Sequence, residues 1–308
     1  MTALVSVLVS VLAYVVIIVI GAALRSLRLV PNDLSRSIGF LVLNITLPCA
    51  IVTFLNGVTL PMSLLATVLI PIGATWVMIF VAWLLTHRQP DAKTAVPFAV
   101  LNMSSFNVGT FGMPFTMGLV SPLGFLVVCL FDVGNSIMCT GGTYAFLCRK
   151  QGGALAAIAN VFRTLARSAP LWTYVVVIAL SLLEIRIPDA ILHFCKVVGG
   201  ANTFLSMLFI GLSINLAINW GKFRKLIWLM IVRYAVNAVL AALLYWLLPF
   251  PLDVRQAIAV TMMTPLAVMG VVFTMKAGLD YETAANINSL SVFVSVVIMC
   301  AMLASFAA

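Results

Sequence analysis

Two ionisable residues lie deep inside long apolar stretches of this chain, Asp132 and Arg233. A carboxylate in such a place normally faces the interior of a helix bundle and acts as a proton relay, a cation ligand or half of an ion pair, because lipid cannot solvate it. Asn135 and Ser136 follow Asp132 on roughly the same helical face, and Asn237 follows Arg233 by one turn. Three uses are open for this group: coupling to a proton, coupling to a cation such as sodium, or a structural Asp132–Arg233 pair. The remaining charged and imidazole groups carry less chemistry. Lys276, Asp280 and Glu282 fit a solvated hairpin, His193 an interface and His87 a loop. With two histidines, no HExxH, no GxSxG in a strand-turn-helix context and no P-loop, the chain has no catalytic constellation and no cofactor motif. Six cysteines are scattered through apolar segments without CxxC spacing, so they read as packing residues and not as metal ligands.

A second set of residues is neutral. Asn102, Ser104, Ser105, Asn107, Gly109, Thr110, Gly112 and Pro114 crowd one apolar segment, and Thr261, Thr264 and Pro265 crowd another. Proline removes a donor and clashes with the preceding turn, while glycine admits backbone angles that other residues avoid. Both segments should therefore be broken, near Pro114 and Pro265. Unwound backbone survives at membrane depth only where it is buried in protein or lines a cavity. Each break also exposes a half-helix N-terminus carrying roughly half a positive charge and free N–H donors. The pair of breaks predicts a shared site for a carboxylate, with Asn102, Asn107, Gly109, Gly112, Pro114, Thr264 and Pro265 as its candidate residues. The plainer use of the same residue types is kinking and helix–helix bonding, and Pro48 reads as a kink.

The elements that must position these groups are membrane helices. The chain is 64% apolar and 8% charged with a mean hydropathy of +1.20, whereas about a quarter of residues are charged in soluble proteins. A hydrocarbon core roughly 30 Å thick needs about 20 apolar residues per helix. The apolar blocks give ten spans, near residues 2–24, 35–56, 62–86, 95–120, 122–148, 169–185, 190–217, 223–248, 256–277 and 283–306. The first has no basic region before it and is too long for a signal-peptide core, so it reads as a retained helix. The net charge of +9 does not point to nucleic acid, because the cations sit singly or in twos and threes between apolar blocks. If the odd-numbered loops face the cytoplasm they hold thirteen of the cations and the opposite side three, which orients both termini outside. Residues 149–168 form a cytoplasmic amphipathic linker, with Arg163 and Arg167 on one face. The linker divides the chain into a first five-helix repeat, 1–148, and a second, 169–308. Five is odd, so the second repeat enters the membrane from the opposite side and is inverted.

These residues resemble the auxin efflux carrier family, which includes plant auxin exporters and bacterial malate and malonate permeases. The resemblance rests on Leu43, Asn44, Ile45, Thr46, Leu47 and Pro48 in the second span, on Asn107, Gly109, Gly112 and Pro114 in the fourth, and on Pro265 with Lys276, Gly278 and Asp280 around the ninth. It implies an all-α membrane protein of ten helices in two inverted repeats, with a scaffold domain, a transport domain and broken fourth and ninth helices crossing at prolines, similar to the sodium/bile-acid symporter fold. In plant members an asparagine seven residues before the fourth-helix proline helps bind the substrate carboxylate, and Asn107 has that spacing to Pro114. Many bacterial members carry an asparagine shortly after the ninth-helix proline, where this chain has Leu266, Ala267, Val268, Met269 and Gly270. The long soluble loop of many plant members is absent. The expected function is secondary transport of a small organic anion, a carboxylate such as malate, malonate or an auxin-like acid, by an elevator-type mechanism in the cytoplasmic (inner) membrane. Its partners are the substrate, the bilayer and a coupling proton or sodium ion, and the apolar faces allow a homodimer. The alternatives are a sodium-coupled symporter of a bulkier anion and a non-transporting membrane sensor.

Overall fold

The computed structural model describes residues 2–31, 33–143, 162–163, 165–183, 185–214 and 220–307, and among them every regular element is helical. In order these are α1 (Thr2–Ser26), α2 (Leu34–Leu55), α3 (Met62–Thr86), α4 (Ala92–Met103), α5 (Met113–Thr116), α6 (Pro122–Ile137), α7 (Ala169–Leu182), α8 (Asp189–Ser213), α9 (Trp220–Leu247), α10 (Leu252–Thr261), α11 (Val268–Lys276) and α12 (Tyr281–Ala307). Six helices are long and apolar enough to cross a bilayer: Leu8–Ser26 within α1, then α2, α3, α8, Ile227–Leu247 within α9, and Tyr281–Phe306 within α12. Two more, α6 and α7, are apolar but shorter. The expected linker, residues 149–168, lies mostly outside the described residues.

The outer surface explains why these segments are helices. Val9, Leu12, Phe80, Trp228, Val239 and Val297 are each more than half exposed. In water such a surface would aggregate. In lipid it is solvated, and a helix closes the backbone hydrogen bonds that lipid cannot satisfy.

Two segments are not continuous. Between α4 and α5 the chain leaves the helix at Ser104–Asn107 and re-enters through a π-helical turn, Val108–Gly112. Between α10 and α11 it is non-helical from Thr264 to Ala267. The second gap contains Pro265, as the rule about proline leads one to expect. The first does not contain Pro114, which sits in the first turn of α5, where a missing N–H costs nothing. What Pro114 does is widen the turn before it. A proline ring crowds the carbonyl four residues back, and here Met113 bonds five residues back, to Val108. Pro48 acts likewise in α2, where the π turn Val42–Thr46 ends on a bond from Leu47 to Val42.

Gly109 and Gly112 also differ from expectation, for neither adopts a left-handed backbone. Their value is close approach. A Cβ on Gly112 would lie 2.8 Å from Cγ2 of Thr264, and one on Gly109 would lie 3.4 Å from Oδ2 of Asp132.

Packing sorts the helices into two groups. In one, α2 lies against α7 and α8, and α1 lies along the second half of α8, where Gly21 and Gly211 bring the two backbones together, while α1 also packs against α12 and so bridges to the other group. In the other, α3, α4, α6, α9, α10, α11 and α12 pack among themselves. Both breaks belong to the second group, and the turn after the first break reaches across to α8 and to the π turn of α2.

Candidate functional site

The two breaks touch. The N–H of Asn107 in the first donates to the carbonyl of Pro265 in the second at 2.9 Å, so each unwound segment satisfies part of the other's backbone. Side chains from the following helices close most of the rest. From α6, Asn135 accepts from the N–H of Phe106 at 3.1 Å and donates to its carbonyl at 2.8 Å. From α12, Asn288 donates to the carbonyl of Leu266 at 2.7 Å, and the Ser291 hydroxyl accepts from the N–H of the same residue at 3.1 Å. Ser295 adds a bond to the carbonyl of Met263 at 2.6 Å. A stretch without helical bonds would otherwise leave buried polar groups unpaired. The same device thus serves both breaks: an asparagine clasps a single apolar residue, Phe106 or Leu266, at N–H and carbonyl in one case and at the carbonyl with a serine's help in the other.

A cavity of about 630 Å³ opens beside the meeting point. It is within the range of small-ligand pockets, roughly 300–1,000 Å³. Asn107, Val108, Gly109 and Thr110 line it from the first break, Ala267, Val268 and Met269 from the second, Asp132, Asn135 and Ser136 from α6, and Leu43 and Asn44 from the π turn of α2. Arg163 and Arg167 complete the wall. Thr110 donates its hydroxyl to the side-chain oxygen of Asn107, which turns the Asn107 amide so that its NH₂ group is the available donor. Ala267 caps α11 without a side-chain bond, so the first N–H groups of that nine-residue helix begin at the cavity wall. The arrangement offers hydrogen-bond donors, a helix N-terminus and two guanidinium groups to a ligand oxygen, and one carboxylate, Asp132, that can exchange a proton or hold a cation.

The sequence-derived candidates therefore divide. Asn107, Gly109, Asp132 and Asn135 line the cavity. Gly112 and Pro114 are buried behind it, and Thr264 is fully buried with its methyl against Gly112. Pro265 contributes its carbonyl to the bond from Asn107. Asn102 donates to the hydroxyl of Thr274 at 2.8 Å and ties α4 to α11. The Asp132–Arg233 pair is not formed. Asp132 meets the amide of Asn135 at 3.4 Å, while Arg233 donates to the carbonyls of Ser105 at 2.8 Å and Thr264 at 3.4 Å. The guanidinium is planar with several donors, and carbonyls freed by two breaks satisfy it where a distant carboxylate would not.

Sequence reasoning missed the clasp by Asn288 and Ser291 and the cavity positions of Arg163 and Arg167. Asn288, falling 23 residues after Pro265 much as Asn135 falls 21 after Pro114, is the one signal that was readable. Nothing in the sequence brings Arg163 and Arg167 to the breaks, because their neighbours in space are far along the chain.

Among the described residues no group of three or more histidine, cysteine or acidic side chains could hold a metal ion. No curated protein matches the chain. The family model described as membrane transport protein matches residues 6–303, nearly its whole length. That family is one of transporters and not an enzyme class. With six apolar helices of spanning length, the chain belongs to the membrane transport protein family, that of the auxin efflux carriers, and is a membrane transporter.

Proposed function

We propose that the protein is a secondary transporter of a small organic anion, a mono- or dicarboxylate, bound where the two breaks meet. The observation that carries this reading is the convergence at one cavity of the Asn107 amide, the N-terminus of α11, Arg163 and Arg167. Helix N-termini and guanidinium groups favour carboxylates, and among the described residues no acidic group other than Asp132 lines that wall.

The segment order supports two inverted five-span repeats. Counting each broken segment once, five spans precede the linker and five follow it, with the break in the fourth of each set and the clasping asparagine in the fifth. The division of the helices into two packing groups supports an elevator mechanism, in which the group holding both breaks slides against α1, α2, α7 and α8. Asp132, on the same cavity, is the group through which a proton would couple to the anion. The distribution of basic residues supports an inner-membrane orientation with both termini outside.

The test is uptake and counterflow in proteoliposomes with a panel of mono- and dicarboxylates. Flux of at least one member is expected, and Asn107→Ala should weaken its apparent affinity by about tenfold, the worth of one hydrogen bond to a charged group. Folded protein that carries no member of the panel would refute the reading.

A further inference from the structure

Arg233 is held in a manner that a buried cation rarely is. Its side chain is 1% exposed, its Nη2 donates to the carbonyls of Ser105 and Thr264, and its Cζ lies 5.1 Å from the ring centre of Phe106 and 5.6 Å from that of Tyr234. Among the described residues Nε and Nη1 have no hydrogen-bond partner, and neither do the side-chain atoms of the wholly buried Asn237, one turn along α9. Burying an uncompensated charge is costly, so the two carbonyls and two aromatic faces must supply what holds it.

The two carbonyls are equivalent in position. Ser105 follows the C-terminal end of α4, and Thr264 follows the C-terminal end of α10. Each end carries roughly half a negative charge from the helix dipole, and the two ends meet at the crossing. In transporters with broken helices, unwound carbonyls and half-helix C-termini are where coupling sodium ions or protons bind.

We infer that Arg233 is a tethered cation occupying the place a transported sodium ion would take, so that the crossing of the two breaks is held together without sodium. This rests on the transport reading above and extends it to the coupling ion: sodium is not required, and Asp132 is left as the coupling group. The guanidinium does not line the cavity and travels with the group that holds both breaks; it is a positioning residue that acts through the carbonyls of Ser105 and Thr264.

The experiment uses the full-length protein in detergent and in proteoliposomes, at constant ionic strength with choline as the replacement cation. For the wild type, flux within twofold with and without sodium is expected, together with no rise in melting temperature on adding sodium. Arg233→Ala should melt lower and lose flux at least tenfold, and both should recover on adding sodium or millimolar guanidinium but not choline. Arg233→Lys, which keeps a point charge near the carbonyls, should retain more of both and guards against an alanine variant that fails to fold. The inference is overturned by sodium-dependent wild-type flux, by sodium raising the wild-type melting temperature, or by an Arg233→Ala protein that matches wild type or ignores every small cation. If the wild type carries no carboxylate, the transport reading fails alone, because the response of the Arg233→Ala melting temperature to cations still decides this one.

Discussion

Replacing Asn135 by alanine removes the clasp on the first break. The side chain is 3% exposed and makes two bonds to the backbone of one residue, accepting from the Phe106 N–H at 3.1 Å and donating to its carbonyl at 2.8 Å. A buried group left without its bond costs about 1–3 kcal/mol. Asn135 also borders the cavity, where water can reach part of the gap, so the two losses together come to about 2–3 kcal/mol. At about 1.4 kcal/mol per factor of ten, the folded-to-unfolded ratio falls roughly 30- to 140-fold. The assay is reversible unfolding of the purified protein in mixed micelles by a denaturing detergent. Asn288→Ala removes only the carbonyl half of the matching clasp, since Ser291 keeps the Leu266 N–H, and should cost about half as much by the same arithmetic. An Asn135→Ala protein as stable as wild type would refute the idea that side chains of α6 and α12 replace the bonds that the broken segments lose.

Gly112→Ala should destabilise by about 1–3 kcal/mol, the usual cost of overpacking, because the new methyl meets Thr264 Cγ2 at 2.8 Å; Thr264→Ser, which removes that methyl, should restore most of the loss in the double variant. Asp132→Asn should abolish transport driven by a pH gradient while leaving exchange of substrate measurable in counterflow. Loss of exchange as well would mean that Asp132 serves the site structurally. Arg163→Gln combined with Arg167→Gln should raise the KM for a dicarboxylate by roughly three- to tenfold, more than for a monocarboxylate, with the difference shrinking at high salt as exposed charges are screened.

How far the site was legible depended on the range of the interaction. Asn107 and Asp132 announced themselves because an amide or a carboxylate in an apolar stretch has few tolerable explanations. Pro265 marked its own break. Pro114 misled by several residues, since a proline perturbs the turn before it and the tolerance of that turn depends on what packs there. Gly109 and Gly112 were legible as exceptions, but for the wrong reason: the choice between backbone freedom and close approach is made by Asp132 and Thr264, which lie elsewhere in the chain.

By itself the sequence determined that the protein lives in a membrane and is helical, because mean hydropathy and span length follow from residue types and the thickness of a bilayer alone. It also marked two segments as interrupted, because proline and glycine act on their own backbone. Only the tertiary structure decided which partners those interruptions found. Arg233 went to the carbonyls of Ser105 and Thr264 and not to Asp132, Asn102 went to Thr274, and Arg163 and Arg167 reached the cavity wall. The physical reason is that hydropathy and backbone strain are local, whereas the pairing of a buried donor depends on which acceptors the folded chain leaves within about 3 Å of it.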